Sequence, residues 1–484
     1  MQTSETDHRY QVKVTSETGR LKRLLIHSPD RGLGKVVPSK AQDWLFEDIV
    51  HLDTMRRDEY DYYIKLLLYF LDPGKIKGKL AEIDADPRRS FFIPGSDNYY
   101  NSDCVVDFQK LLAEILEEPG TRSKLTAAIC GIEKCAFAIQ EELHTCHPHE
   151  LAKIFISGSR SDERMLFAPL PNLIFMRDIG IVINDYILLN KPAKTARTRE
   201  SILAQYVFFY HPMFEHVRNN LIEIPDNEKH FLLPDDEKAS DYHRCTLEGG
   251  DIMTVAPNHL VIGCSERTSI YAAQQVMKIL FEKNVVSKIT IIKIPKKRDY
   301  MHIDTIFTQV KKNVWVLLGS LARLGDEARK KDVLHFFAPA DANKEFRILQ
   351  FEKGTEQPRE IENLEDLLAD ISKTDLGSKE PVQFIYSGDN EFPYGEREQW
   401  TDSCNLLALQ EGVVIGYDRN DKTLEAFRKK GFSVISAKDI LQQFESGKLV
   451  PETLRDTFIT LPSAELSRAR GGSHCMSMPV LREF

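Results

Sequence analysis

Long apolar runs are missing from this sequence of 484 residues. The nearest candidate, YYIKLLLYFL, carries a lysine and falls well short of the roughly 20 apolar residues a membrane-spanning helix needs. An apolar leader core is missing as well: the chain opens MQTSETDHRYQVKV, so no secretory signal peptide is expected. Excess basic charge is absent. Lys and Arg number 64 against 73 Asp and Glu, a net charge of −9, which leaves no electrostatic footprint for nucleic acid or an anionic membrane. Cysteine is sparse too. The eight (Cys104, Cys130, Cys135, Cys146, Cys245, Cys264, Cys404 and Cys475) show no disulfide-framework spacing, so reduced thiols in a cytoplasmic protein are expected.

What remains is an ordinary globular composition, 42% hydrophobic and 28% charged. The length suits two or three domains or one large repeated architecture. A repeat is legible in the punctuation. DIGIVINDYILLN holds two apolar runs joined at Asn184–Asp185, and the helical pattern RTRESILAQYVFF follows. DIMTVAPNHLVIGCS has its joint at Pro257–Asn258 and is followed by TSIYAAQQVMKIL. DTIFTQVKKNVWVLLGS is a third such hairpin, and NLLALQEGVVIGYDRN a fourth, leading to KTLEAFRKKG and the strand FSVISA. Short apolar runs joined by a turn signal a hairpin, and a polar residue before an amphipathic run signals a helix start. The early run LKRLLIHSP and the late run MSMPVLRE complete a fifth unit.

Repeated units set around an axis bring equivalent positions together at its centre. Here those positions are the approaches to the hairpins: Asp178; Glu248 and Asp251; His302 and Asp304; Asp402 and Asn405; and Cys475. A thiol, an imidazole and several carboxylates recurring there point to an active site. Cys475 alone reads as a small buried filler. Its neighbours His474, Arg470 and the Gly471–Gly472 pair instead suggest a thiol of lowered pKa and a nucleophile. His302 and Asp304, two residues apart, share one face of an extended segment, and the imidazole suits general acid–base work. Carboxylates gathered around them select a cationic planar substrate, because carboxylates bind guanidinium in a bidentate way.

Two stretches stand outside the repeat. Residues 53–150 are rich in helix formers and read as a helical insertion, and residues 340–390 as a charged excursion containing the surface helix ENLEDLLADISK. Cys130, Cys135, His144, Cys146, His147 and His149 lie close in sequence, but their spacing fits no standard zinc ligand pair, so no metal is expected. GRLKRLLIHSPDRGLGK lacks the fuller phosphate-loop pattern.

Taken in order, PLPNLIFMRD, TARTRE, LEGGD, GCSERTS, MHIDTIFT, EREQWTDSCNLLAL and RGGSHCMSMPVLRE resemble the arginine deiminase family, with LFEDI as an N-terminal piece. These are guanidine-modifying enzymes of the pentein superfamily. The resemblance implies an α/β fold, a pseudo-fivefold α/β-propeller of ββαβ-type repeats. Residues 1–52 and 151–484 would form the catalytic domain and 53–150 the inserted helical one. It further implies hydrolysis of L-arginine to L-citrulline and ammonia, without metal or organic cofactor. In that scheme Cys475 attacks the guanidinium carbon, Asp178 and Asp304 clamp the guanidinium nitrogens, and His302, held by Glu248, serves as acid and then base. Arg197, Arg267 and Asn172 match positions that hold the substrate carboxylate, and Arg470 matches a mobile gate. An amidinotransferase, a hydrolase of methylated arginine or agmatine, or a non-catalytic arginine-binding protein are the alternatives. Oligomeric state is left open.

Overall fold

The computed structural model describes residues 10–41, 43–234, 238, 240, 242–322 and 346–483. Among them, five sheets share one plan. Two strands pair antiparallel, and a third joins the second strand in parallel. The terminal sheet does this with β1 (Arg20–Ile26), β2 (Val105–Asp107) and β18 (Met478–Glu483): β18 runs antiparallel to β1, and β2 parallel to it. The next sheet uses β3 (Gly180–Ile183), β4 (Tyr186–Leu189) and β5 (Leu221–Ile222), and the following one β6 (Ile252–Ala256), β7 (His259–Cys264) and β8 (Lys288–Lys293). β9 (Phe307–Lys311) and β10 (Val314–Leu317) take β13 (Gln383–Tyr386) as parallel partner, with β11 (Arg347–Glu352) and β12 (Arg359–Ile361) lying between them in sequence. Last come β14 (Leu407–Gln410) and β15 (Val413–Tyr417), with β17 (Thr457–Leu461) parallel to β15 and β16 (Ser433–Ser436) outside β17.

A tight turn serves an antiparallel pair, whereas a parallel return needs a crossover long enough for a helix. Helices fill those crossovers: Asp61–Leu71, Thr198–Tyr210, Ile270–Glu282, Leu364–Asp370 and Asp421–Lys429. The hairpin joints read from sequence are the observed ones. At the first, Asn184 adopts a left-handed φ of 55°, which asparagine tolerates better than most residues. Its amide then donates to the carbonyls of Pro257 and Val285, at 3.0 and 2.7 Å, tying this turn to the next unit.

The stretch 340–390 departs from the sequence reading. Its first six residues lie outside the described ones. The rest belongs to the repeat: β11 and β12 extend the β6–β7–β8 sheet, and β13 is the parallel strand that β9 and β10 need. The helix expected at the surface buries Leu364, Leu367 and Leu368, because it is the crossover that packs β10 and β13. Residues 53–150 are mostly helical, and they also supply β2. No helix among the described residues is long and apolar enough to cross a membrane.

Apolar clusters run between neighbouring sheets. One joins Val261 of β7, Phe307 of β9, Trp315 of β10, Val414 of β15 and Phe458 of β17. The polar residues just ahead of each first strand are buried as well: Asp178, Glu248, Asp251, His302, Asp304, Asp402, Asn405 and Cys475. Burying that many ionisable groups costs stability unless they pair with one another.

Candidate active site

They do pair. Three approaches are single 3₁₀ turns (Met176–Ile179, Gly249–Asp251 and Ile303–Thr305), which halt the chain before the strand and turn Asp178, Glu248 and His302 toward one point. The two glycines of LEGGD make this approach sterically open. A Cβ on Gly250 would lie 2.4 Å from His302 Nδ1, and one on Gly249 would lie 2.0 Å from the carbonyl oxygen of Arg177.

Cys475 is held from two sides. Asn405 accepts the Cys475 backbone N–H at 3.0 Å and donates its amide to Sγ at 3.2 Å. The thiol donates to Asp304 Oδ2 at 3.3 Å. His302 Nε2 lies 3.1 Å from Glu248 Oε2. Eight of the nine residues singled out from sequence line one cavity: Asn172, Asp178, Arg197, Glu248, Arg267, His302, Arg470 and Cys475. The ninth, Asp304, contacts the sulfur.

Asn172 and the three arginines of that set are placed as follows. Arg197 Nη1 donates to Asp178 Oδ2 at 2.9 Å and to Glu248 Oε2 at 3.2 Å, while its Nε donates to Glu200 at 2.9 Å. Arg267 sits 3.9 Å from Glu248 Oε1, and Asn172 donates to the carbonyl of Trp44 at 3.0 Å. Arg470, left-handed at φ 61°, lays its guanidinium 3.3 Å over the ring of Trp400. In this arrangement the cavity measures about 30 Å³, room for about one water molecule. A larger ligand enters only as these side chains move. Ligand atoms of Asp178, Glu248 and His302 lie within 4.8 Å of one another, a spacing open to a cation, and the cation seated on two of them is the Arg197 guanidinium.

Burial sets the electrostatics, and the neighbours decide the outcome. Burial would raise Glu248, but the charge of Arg197 and the hydrogen bond to His302 hold it well below the ordinary range. His302 is pulled down by burial, yet the charges of Asp178 and its other acidic neighbours lift it to about 10. Asp251 and Asp402 are each pushed up to about 7 by burial. The Cys475 thiol goes well above its ordinary value through burial and then the charges of Asp304, Asp178 and Asp402. Sequence reasoning expected the opposite sign. The reason for the difference is geometric: His474 faces Asp304 and Glu17, and three carboxylates dominate the sulfur's surroundings.

Several contributors went unassigned in the sequence. Asn405 and Asp251 were visible as approach residues but had no role. Glu200 stands in the TARTRE motif three residues after Arg197, a spacing that already hinted at their ion pair. Trp400 stands in the motif EREQWTDSCNLLAL without a role, and Glu17 carried no local signal.

A thiol and an imidazole beside carboxylates that already grip a guanidinium make a site for a planar cation, within a mixed α/β fold of repeated three-stranded units. The family model for arginine deiminase matches residues 139–482. The chain is similar to arginine deiminases of Staphylococcus aureus strains JH9 and Newman, each 28% identical over 495 aligned residues with 98% of both chains covered. The chain belongs to the arginine deiminase family. Among solved structures, an amidinotransferase of saxitoxin biosynthesis from Microseira wollei aligns with a TM-score of 0.47 at 13% identity, covering 98% of each chain. DDAH from Pseudomonas aeruginosa aligns with a TM-score of 0.41 at 12% identity, covering 95% of this chain and 99% of its own.

Proposed function

We propose that this protein hydrolyses the guanidino group of L-arginine, giving L-citrulline and ammonia through a covalent cysteine intermediate. The observation that carries the reading is the guanidinium of Arg197 seated on Asp178 and Glu248, within a cavity shared by Cys475 and His302. The site accepts the functional group of the substrate, and the family membership names that substrate.

On this reading the substrate guanidinium takes the unpartnered oxygens of Asp178 and Asp304, and its charge offsets the carboxylates that keep the thiol protonated. The thiol then gives its proton up to solvent in the loaded site, and the sulfur adds to the guanidinium carbon. His302, an imidazolium at neutral pH, gives its proton to the departing nitrogen, which leaves as ammonia. The neutral imidazole next takes a proton from water as that water adds to the thiouronium carbon. The C–S bond breaks as the adduct's hydroxyl proton passes to the departing sulfur, restoring the thiol and releasing citrulline. Dividing the hydrolysis in two and holding each reactant in line replaces one difficult step by two easier ones. Arg197, Arg267 and Asn172 turn to the substrate carboxylate, and Arg470 leaves Trp400 to close the mouth.

We read the five sheets as blades around one pseudo-fivefold axis, an α/β-propeller formed by residues 1–52 and 151–484. Residues 53–150 are then the helical insertion that lends β2 to the terminal blade. The common strand plan and the meeting of all five approaches support that arrangement. Eight free thiols fit a cytoplasmic setting. No metal or organic cofactor enters this chemistry.

The test is product analysis with L-arginine alone and agmatine in parallel. Equal citrulline and ammonia from arginine, with none from agmatine, is the expected result. Ornithine appearing only when an acceptor amine is added would replace this reading with an amidinotransferase.

A further inference from the structure

Glu17 lies ahead of β1, outside the residues matched by the family model, yet it is buried beneath the site. Its Oε2 is 3.2 Å from His474 Nε2. On the other edge of that ring, Nδ1 is 3.0 Å from Asp304 Oδ2, the oxygen that also accepts the Cys475 thiol at 3.3 Å. A line of carboxylate, imidazole, carboxylate and sulfur thus runs from the first described segment to the last. Both ring nitrogens face carboxylate oxygens, and only an imidazole bearing hydrogen on both can donate to two ionised carboxylates.

Resting on the reading of Asp304 as a guanidinium clamp, we propose that Glu17 is a positioning residue that keeps His474 doubly protonated. His474 then fixes Asp304 Oδ2 and leaves Oδ1 free for the substrate. Asp304 Oδ1 is buried without a partner among the described residues, as that role requires. The other charged or titratable groups around the line are few. Arg177 approaches Glu17 to 3.8 Å, and Arg482 adds a second positive charge while donating to the carbonyls of Gly19 and Ala408. His302 and Asp402 act on the far end, on Asp304 and Cys475. Burial would raise Glu17, but Arg177 and then His474 bring it down to about 2, so its carboxylate is charged throughout the working range. Thr254 fixes its other oxygen with a backbone N–H at 3.3 Å.

A carboxylate that merely neutralised Arg177 and Arg482 would, when removed, lower stability and active fraction equally at every pH. A positioning role adds a titration. Without the Glu17 charge, only one edge of the His474 ring still faces a carboxylate, so its second ring hydrogen is no longer held at every pH. The experiment measures kcat and KM for arginine from about pH 5.5 to 9, the span in which imidazoles change charge. It compares wild type with Glu17→Gln, Glu17→Asp and His474→Asn, and records the rate of Cys475 alkylation by iodoacetamide on the same samples. For Glu17→Gln we expect a downward step in kcat with rising pH that wild type lacks, reaching about tenfold below wild type at high pH with little change in KM. Glu17→Asp should keep the wild-type profile, and His474→Asn should be slow without any step. Alkylation of Glu17→Gln should also fall behind wild type above that step, since the sulfur then faces an Asp304 no longer offset by a cation. A Glu17→Gln profile of wild-type shape, or a His474→Asn enzyme of wild-type kcat, overturns the proposal. Should wild type make no citrulline, the functional reading fails by itself, and the alkylation comparison still decides this one. If Glu17→Gln does not fold, the decision passes to His474→Asn.

Discussion

Replacing Gly250 by alanine tests the site through a single methyl group. A Cβ there would lie 2.4, 2.7 and 2.9 Å from Nδ1, Cγ and Cβ of His302, where ordinary contact begins near 3.4 Å. The backbone at Gly250 does not need a left-handed conformation, so the effect is contact alone. The imidazole has to retreat by about 1 Å, and its bond to Glu248 leaves no second seat for it. A displacement of about 1 Å in a catalytic group costs about 100-fold in rate. Overpacking adds about 1–3 kcal/mol of destabilisation. Initial rates of citrulline formation at saturating arginine give kcat, and a thermal melt shows that the protein is folded. We expect kcat to drop about 100-fold, with KM moving far less. A folded Gly250→Ala enzyme within about threefold of wild-type kcat would refute the placement of His302 as the proton-transfer group. Gly249→Ala is the contrasting case: its Cβ would meet a backbone oxygen at 2.0 Å, which cannot swing away, and loss of folding is expected instead.

Three further outcomes follow from the same geometry. Cys475→Ser should release no citrulline while still binding arginine by calorimetry; surviving turnover would end the covalent mechanism. Asp304→Asn removes the nearest charge that raises the Cys475 thiol, so alkylation of the free enzyme at pH near neutrality should speed up, about tenfold for each pKa unit recovered; an unchanged or slower rate would contradict the electrostatics. His27, buried against Asp107 at 3.4 Å and Asp30 at 3.2 Å, is pulled down by burial but raised to about 9 by those two carboxylates, from an ordinary 6.5. A raised folded value means its contribution is complete below about pH 6.5 and lost as pH rises through about 9; the gap is equivalent to about 3 kcal/mol. Thermal melts at the two ends of that window should differ more in wild type than in Asp107→Asn, and equal differences would rule the contribution out.

Much of this was legible because the repeat is local. Asn184–Asp185 and Pro257–Asn258 announce their turns within a few residues, and the polar residues ahead of each strand stand in plain view. What the sequence hid is set by partners distant along the chain. The sign of the Cys475 shift depends on carboxylates delivered by three other approaches, Asp178, Asp304 and Asp402, which no reading of its own neighbours could weigh. His474 looked like a positive neighbour of the thiol alone, but Glu17 and Asp304 take both of its nitrogens, so its hydrogens go to carboxylates and not to the sulfur. The stretch 346–390 read as an excursion because β13 is a short strand separated from its hairpin by a long connection. Only the need of β10 for a parallel partner identifies it.

The late position of Cys475 follows from how the terminal sheet closes. Cys475 stands just ahead of β18, and β18 has its hairpin partner at the other end of the chain. Arg20 pairs with Glu483 and Leu25 with Met478. Lys13 adds a second tie, donating its N–H to the Val480 carbonyl and accepting from Arg482. Chain ends ordinarily fray, but here each end is the other's strand partner. The consequence reaches the chemistry. The other four units can each form a hairpin from neighbouring residues, whereas the unit that presents the sulfur must bring together segments separated by almost the whole chain. Contacts of such separation carry the largest closure entropy. Asp178, Glu248, His302 and Asp304 are therefore carried by units whose hairpins are local in sequence, and the thiol by the one unit that needs the first and last described segments together. The same pairing seats Glu17 against His474, so the arrangement that holds Cys475 in the site also brings a charge against its neighbour.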